Sequence, residues 1–261
     1  MVKAKRQDKL QPDESNVKVP EEVVERKGDS FQVNELPSDV PVSGTVYGTL
    51  LNYQGALEAL GEAVHEAPYK APPQAPILYI KPLNTMNSHK RPIPLPSGEE
   101  ELEVGASLAL IIGRTATRVR EEEALEYIAG YTVANDVSIP HDSVYRPAIK
   151  QKARDGFCPI GPWITDKEAV SDINQVSIRV YINGQLRQEN TTAHWIRPAA
   201  QLLADVTEFM TLHKGDVLLT GVPEGAPRVK AGDTVRIEID GIGILENHVM
   251  CEEELTKEGI R

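Results

Sequence analysis

Residues 176–189, VSIRVYINGQLRQE, alternate Val176, Ile178, Val180 and Ile182 with other side chains and then meet Asn183-Gly184. Alternation with period two puts one set of side chains on a core and the other in water. Asn-Gly supplies the two positive-φ residues of a tight turn, so the stretch predicts a β-hairpin. Working outward, strands continue to dominate. PAAQLLADVTEFM (198–210) reads as an amphipathic helix, and GDVLLTG (215–221) and GDTVRIEIDGIGILENHV (232–249) read as strands joined by glycine turns. On the N-terminal side, ASLALIIG (106–113) is the continuous apolar run of a buried strand, and APPQAPILYIKP (71–82) is a proline-bounded strand. GTVYGTLLN (44–52) is strand-like. YQGALEALGEAVHEA (53–67) has helical spacing at Leu57, Leu60 and Val64, and REEEALEYIAG (120–130) predicts a short helix closed by Gly130. Strands outnumber helices without regular βα alternation, which predicts an α+β, strand-dominated fold.

The first 42 residues differ in texture: polar, punctuated by proline and poor in large apolar side chains. They read as an N-terminal lead-in, with VVERKGDSFQV (23–33) able to form a hairpin, ahead of a domain over residues 43–261. The formal charge of −11 argues against a sequence-independent grip on nucleic acid or an anionic membrane. The N-terminus lacks the apolar core of a signal peptide and no run of 18 apolar residues exists, so the expected location is cytoplasmic. Cys158 and Cys251 fall in no metal-like spacing, and Cys158 reads as a free buried thiol.

GYTVANDVSIPHD (130–142) ends an apolar run, Tyr131, Val133 and Ala134, on the single carboxylate Asp136. Such an acid caps a turn, binds a metal or handles a proton, and on these residues alone a turn Asp is the ordinary fate. Lys152 alone reads as a solvated lysine. Arg146 and Arg154 read equally as partners of Asp142 or Asp155. His141 reads as a surface turn histidine, His65 and His194 as structural, and Asn52 and Tyr53 as pocket edge or packing.

Taken in order, LNY (51–53), ILYIKP (77–82), SLALIIG (107–113), GYTVANDVS (130–138), KARDGFCPIGPW (152–163), YINGQLRQE (181–189) and GDVLLTGVPEG (215–225) resemble the fumarylacetoacetate hydrolase superfamily over roughly residues 44–250. PYKAPP, YRPAIKQKARDGFCPIG and AAQLLADVTEF sharpen the likeness to a subgroup, the bifunctional isomerase/decarboxylases of 4-hydroxyphenylacetate breakdown, and in particular to their N-terminal half. The resemblance implies a mixed β-sheet folded into a roll, open at one end where the site lies. It implies a divalent metal, magnesium or manganese, held by an E-x-E pair and by the Asp of ANDVS, here Asp136. At the E-x-E positions this chain carries Gly105 and Ser107, with Glu103 two residues further along, so weak metal binding through Asp136 is expected. The lid His and Glu of the family fall on Ala56 and Ala59, with Glu58 adjacent. The Arg four residues after Asp136 is replaced by Pro140, and the Thr of the TGTP loop by Val222.

The resemblance makes Lys152 and Asp136 the candidate catalytic residues; Tyr145, Arg146 and Arg154, close to Lys152 in the sequence, are the candidate substrate-binding residues. It implies a decarboxylase/isomerase of oxo- or hydroxydienoate di- and tricarboxylic acids in aromatic catabolism. The alternative is a catalytically degenerate subunit paired with a metal-bearing homologous chain. A small-molecule oxo-acid is the expected ligand, with a homodimer or a heteromer with a C-terminal-type subunit as the assembly. Neither nucleic acid nor membrane is an expected partner.

Overall fold

Two β-sheets of unequal size carry the fold. The computed structural model describes residues 3–8, 11–16, 23–26, 29–32, 40–66, 70–141 and 148–257. The chain begins with two antiparallel pairs, β1 (Lys3–Asp8) with β2 (Gln11–Asn16) and β3 (Val23–Arg26) with β4 (Asp29–Gln32). Next come β5 (Val46–Leu50), α1 (Gln54–Glu58), β6 (Ile77–Lys81), β7 (Met86–Asn87), β8 (Ile93–Leu95) and β9 (Leu102–Glu103). The middle of the chain holds β10 (Ala106–Ile112), β11 (Ile128–Asn135), α2 (Ile149–Lys152) and β12 (Cys158–Asp166). The hairpin β13 (Ser177–Ile182) and β14 (Gln185–Thr191) follows, then α3 (Ala199–Phe209) and β15 (Val217–Leu219). The last elements are β16 (Arg228–Val229), β17 (Thr234–Ile239), β18 (Gly243–Cys251) and α4 (Glu252–Lys257).

The larger sheet runs β2-β1-β12-β11-β10-β15-β5-β6, with β7 also paired to β12; the smaller runs β14-β13-β17-β18-β8. Both are mixed, because β15 pairs β5, and β18 pairs β8, in parallel among otherwise antiparallel neighbours. The α+β, strand-dominated expectation holds. The polar lead-in contributes β1, which reaches the edge of the larger sheet with Ala4 opposite Thr165.

The apolar run of β10 has a direct cause. Leu108, Leu110 and Ile112 face the main core with Ile178, Val180, Ile237 and Leu245 of the smaller sheet. Ala109 and Ile111 face a second core with Cys158, Ile160, Val217 and Leu219. A strand buried on both faces has no position left for a polar side chain except where that side chain finds its own partner. On β13 the smaller sheet buries every second residue, as the alternation requires.

Two helix expectations are corrected. The spacing of Leu57, Leu60 and Val64 is split between α1 and a 3-10 turn over Gly61–His65, because Gly61 takes φ 51° and interrupts the α-helix; of the three, only Val64 is buried. REEEALEYIAG forms a 3-10 segment, Glu121–Tyr127, and Gly130 is not its cap but part of β11. A Cβ at Gly130 would sit 2.3 Å from the Thr165 carbonyl oxygen, so that glycine serves strand contact. Among the described residues, no helix is long and apolar enough to cross a membrane.

Candidate active site

Asp136 lies immediately after β11 and is buried. Its backbone is stitched into a turn with the approach to β10: Asp136 N–H donates to Gly105 O at 2.8 Å, and Gly105 N–H donates to Asn135 Oδ1 at 2.9 Å. The carboxylate does not cap that turn. Oδ1 faces Lys81 Nζ at 3.0 Å, and Oδ2 faces Lys152 Nζ at 2.7 Å and accepts a short hydrogen bond from the Tyr79 hydroxyl.

Lys81 closes β6 and its side chain is fully buried. An ammonium has three N–H donors, and three acceptors surround this one: Asp136 Oδ1, Lys152 O at 2.8 Å and Val137 O at 3.2 Å. Tyr79, two residues earlier, projects from the same face of the strand. Lys152 closes α2, and its Nζ sits 5.1 Å from the centre of the Tyr79 ring. Three remote segments thus meet on one carboxylate.

The electrostatics follow from this crowding. Burial alone would push the Asp136 carboxyl up, but Lys152 and then Lys81 more than reverse this and hold it well below the usual carboxylate range. Burial, and then the Asp136 charge, push the Tyr79 phenol well above its ordinary value. Burial pulls the Lys81 ammonium down against the opposing pull of Asp136. Cys158, buried as expected and free, is pushed up to about 12 by burial, which leaves an unreactive thiol.

Above this floor opens a cavity of about 300 Å³. Tyr79, Asp136 and Lys152 line its base. Glu103, His141, Thr49 and Glu224 also line it, as do Ala56 and Ala59, the positions of the family lid His and Glu. Glu224 Oε1 accepts from Asn190 Nδ2 at 2.9 Å. Lys152 and Asp136, singled out from the sequence, therefore come together. Arg154 does not join them: it turns its Nε to Lys150 O at 3.0 Å and does not line the cavity. Tyr145 and Arg146 lie outside the described residues. Tyr53 and Asn52 belong to packing: Tyr53 meets Trp195 edge-on at 6.4 Å, and Asn52 binds Thr220 O and Arg197 N.

A divalent metal does not fit this donor set. Both Asp136 oxygens already face ammonium or hydroxyl donors. Ser107 is buried and turns its hydroxyl to Leu108 O at 3.3 Å. Gly105 has no side chain and no room for one, since a Cβ there would lie 2.3 Å from the Asp136 carbonyl oxygen. Glu103 reaches the cavity, yet among the described residues no three His, Cys, Asp or Glu side chains cluster as a metal site. Where the resemblance gave Asp136 a metal, its carboxylate here faces two lysines.

A mixed sheet curled beside a smaller one, with a cavity open above Asp136 and Lys152, is the architecture of the fumarylacetoacetate hydrolase fold. Residues 45–250 match the model of the fumarylacetoacetate hydrolase C-terminal domain, and the chain belongs to that family. It is 48% identical over 215 residues to the 4-hydroxyphenylacetate degradation bifunctional isomerase/decarboxylase of Escherichia coli, covering 82% of this chain and 49% of that protein. The chain spans about half the length of the curated relatives it matches first. Among solved structures, the 5-carboxymethyl-2-hydroxymuconate delta-isomerase of Mycobacterium smegmatis superposes with a TM-score of 0.76 at 29% identity, covering 97% of this chain and 99% of that one. Maleylpyruvate hydrolase of Sphingobium sp. SYK-6, solved with manganese(II) and pyruvate, superposes at 0.69 with 28% identity, covering 85% and 77%.

Sequence reasoning missed Tyr79 and Lys81, although ILYIKP was noticed as a strand. The available signal was a lysine ending an apolar run just before a proline, on the same strand face as a tyrosine.

Proposed function

We propose that the cavity takes an oxo- or hydroxydienoate di- or tricarboxylic acid of 4-hydroxyphenylacetate catabolism, and that this chain carries out its isomerisation. The observation that carries the reading is the Lys152 ammonium, fixed by a buried and permanently ionised Asp136 at the base of a 300 Å³ cavity. Isomerising a hydroxydiene to an oxo-ene needs a cation beside the developing enolate oxygen, and a preorganised ammonium can supply it. Asp136 holds the Lys152 ammonium in place at 2.7 Å. Tyr79, held protonated, donates to the same carboxylate and keeps it in place. Decarboxylation draws on the same electron sink, so both activities named for the relatives suit the site. No step in this reading passes through a metal.

A second reading has its own support. Gly105 leaves no space for the E-x-E carboxylate, and the chain matches half of its bifunctional relatives. On that reading it is the metal-free member of a pair, assembled as a dimer or heteromer with a homologous chain that keeps the carboxylates. One experiment separates the two. The purified chain is given 2-hydroxyhepta-2,4-diene-1,7-dioate with and without EDTA, and the diene absorbance is followed, first alone and then after mixing with the sister chain. Turnover alone that EDTA does not touch supports the isomerase. Turnover that appears only on mixing and is abolished by EDTA supports the partner role.

A further inference from the structure

The floor of the cavity polarises but does not exchange protons near neutral pH. Asp136 stays ionised, Tyr79 stays protonated, and the Lys81 ammonium is buried, donating to two backbone carbonyls and paired with Asp136. Tautomerising an enol nevertheless moves one proton from oxygen to carbon, and a side chain must carry it. On this lining the other titratable groups are Glu103, from β9, Glu224, from the loop after β15, and His141, from the segment between β11 and α2.

We infer that His141 is that proton carrier, a catalytic role that rests on the oxo-acid reading above. His141 Nδ1 lies 2.9 Å from Ile139 O. A carbonyl oxygen only accepts, so Nδ1 carries the hydrogen, and Nε2 is left as the nitrogen that takes up and gives back a proton. Ile139 N–H in turn donates to Gln151 O at 3.1 Å, which ties the histidine's segment to the helix that ends in Lys152. The segments that carry the cation and the base are therefore tied together. The imidazole is neither buried in the core nor fully in water. Glu224 is the rival on this lining: Oε1 accepts from Asn190 while Oε2 is buried without a partner. The step balances simply. With the ligand's oxygen against Lys152, neutral Nε2 takes the enol O–H proton. The C=C pair then takes that proton from Nε2–H at carbon, giving the oxo form and regenerating neutral imidazole.

The test uses two probes on the full chain. Oxalate, a planar dianion that mimics an enolate, reports binding by calorimetry. The enol of oxaloacetate reports proton transfer through its loss of absorbance. His141→Gln is expected to bind oxalate within about twofold of the unmodified chain while kcat for ketonisation falls about 100-fold. Added imidazole should restore part of the rate to His141→Ala. An unchanged kcat in His141→Gln with a normal melting curve overturns the assignment. A loss found only in Glu103→Gln or Glu224→Gln gives the proton to a carboxylate and overturns it as well. If the unmodified chain neither binds oxalate nor ketonises the enol, the oxo-acid reading itself fails and this inference falls with it. Normal binding and turnover with an indifferent His141 would leave that reading standing and remove this inference alone.

Discussion

The β13–β14 hairpin and the Asp136 cluster are both products of strand geometry, and they are stabilised in opposite ways. The hairpin is local. Asn183 and Gly184 turn the chain at φ 52° and 77° and set the pairs Ile182–Gln185 and Tyr181–Leu186, beyond which a bulge shifts the register by one to Val180–Gln188 and on to Ser177–Thr191. Its charged groups sit at the surface, where Arg179 meets Glu189 and Asp240. The cluster is assembled from afar. Lys81 reaches across 71 residues to Lys152 O, and every charged group in it except Lys152 is sealed from water. A local, solvated device loses little when one part is changed. A buried ionic one loses much, because the partners that remain are stranded in a medium that solvates them poorly.

Substitutions can break or sharpen that contrast. Asp136→Asn should have the largest effect, about 3–5 kcal/mol of unfolding free energy by denaturant titration, since it leaves two ammonium groups facing each other. Lys81→Met comes next at about 3 kcal/mol, because two backbone carbonyls lose their donor along with the carboxylate. Lys152→Met should cost only about 1.5 kcal/mol, since its side chain keeps some water and Lys81 still serves Asp136, yet it should abolish oxalate binding. If Lys152→Met proved costlier than Lys81→Met, the division into a structural and a functional lysine would be wrong.

Acid sharpens the same contrast. Asp136 titrates well below its unfolded value of about 3.9, so on acidification the unfolded chain takes up the proton first. Its contribution is complete above that value and is lost as the pH falls toward the folded pKa. Melting temperatures should drop steeply for the native chain as the pH is taken from about 4 down to about 2, and less steeply for Asp136→Asn. The smallest effect is expected in the hairpin. Gly184→Ala meets open space but must hold a positive φ, which costs about 1 kcal/mol and leaves the acid slope unchanged.

The same division explains what could be read from the residues alone. The hairpin's instructions lie within fourteen consecutive positions, 176–189, so alternation and Asn-Gly suffice. The run in β10 announces a doubly buried strand for the same reason. Asp136 stands out as an acid ending an apolar run, and the family likeness pointed to Lys152. Lys81 could not be paired with Asp136 without knowing how β6 and β11 lie in the finished sheet, since period two fixes a face and not a neighbour. The two misread helices failed at glycines whose task is tertiary: Gly61 breaks a spacing that looks continuous, and Gly130 lets β11 approach β12. Arg154 groups with Lys152 by its closeness in the sequence, but its side chain turns to Lys150 O instead of the cavity.

Gly105 carries one more consequence. Where a side chain would begin, the main chain at Asp136 has already closed in. Returning a carboxylate to position 105 therefore demands a concerted retreat of the segment that also carries the base of the cavity. No single substitution leads back, and Gly105→Glu with Ser107→Glu should misfold this turn sooner than recruit manganese. The absence of a side chain at 105 is thus what lets the two turns lie against each other and seats Asp136 beneath the cavity.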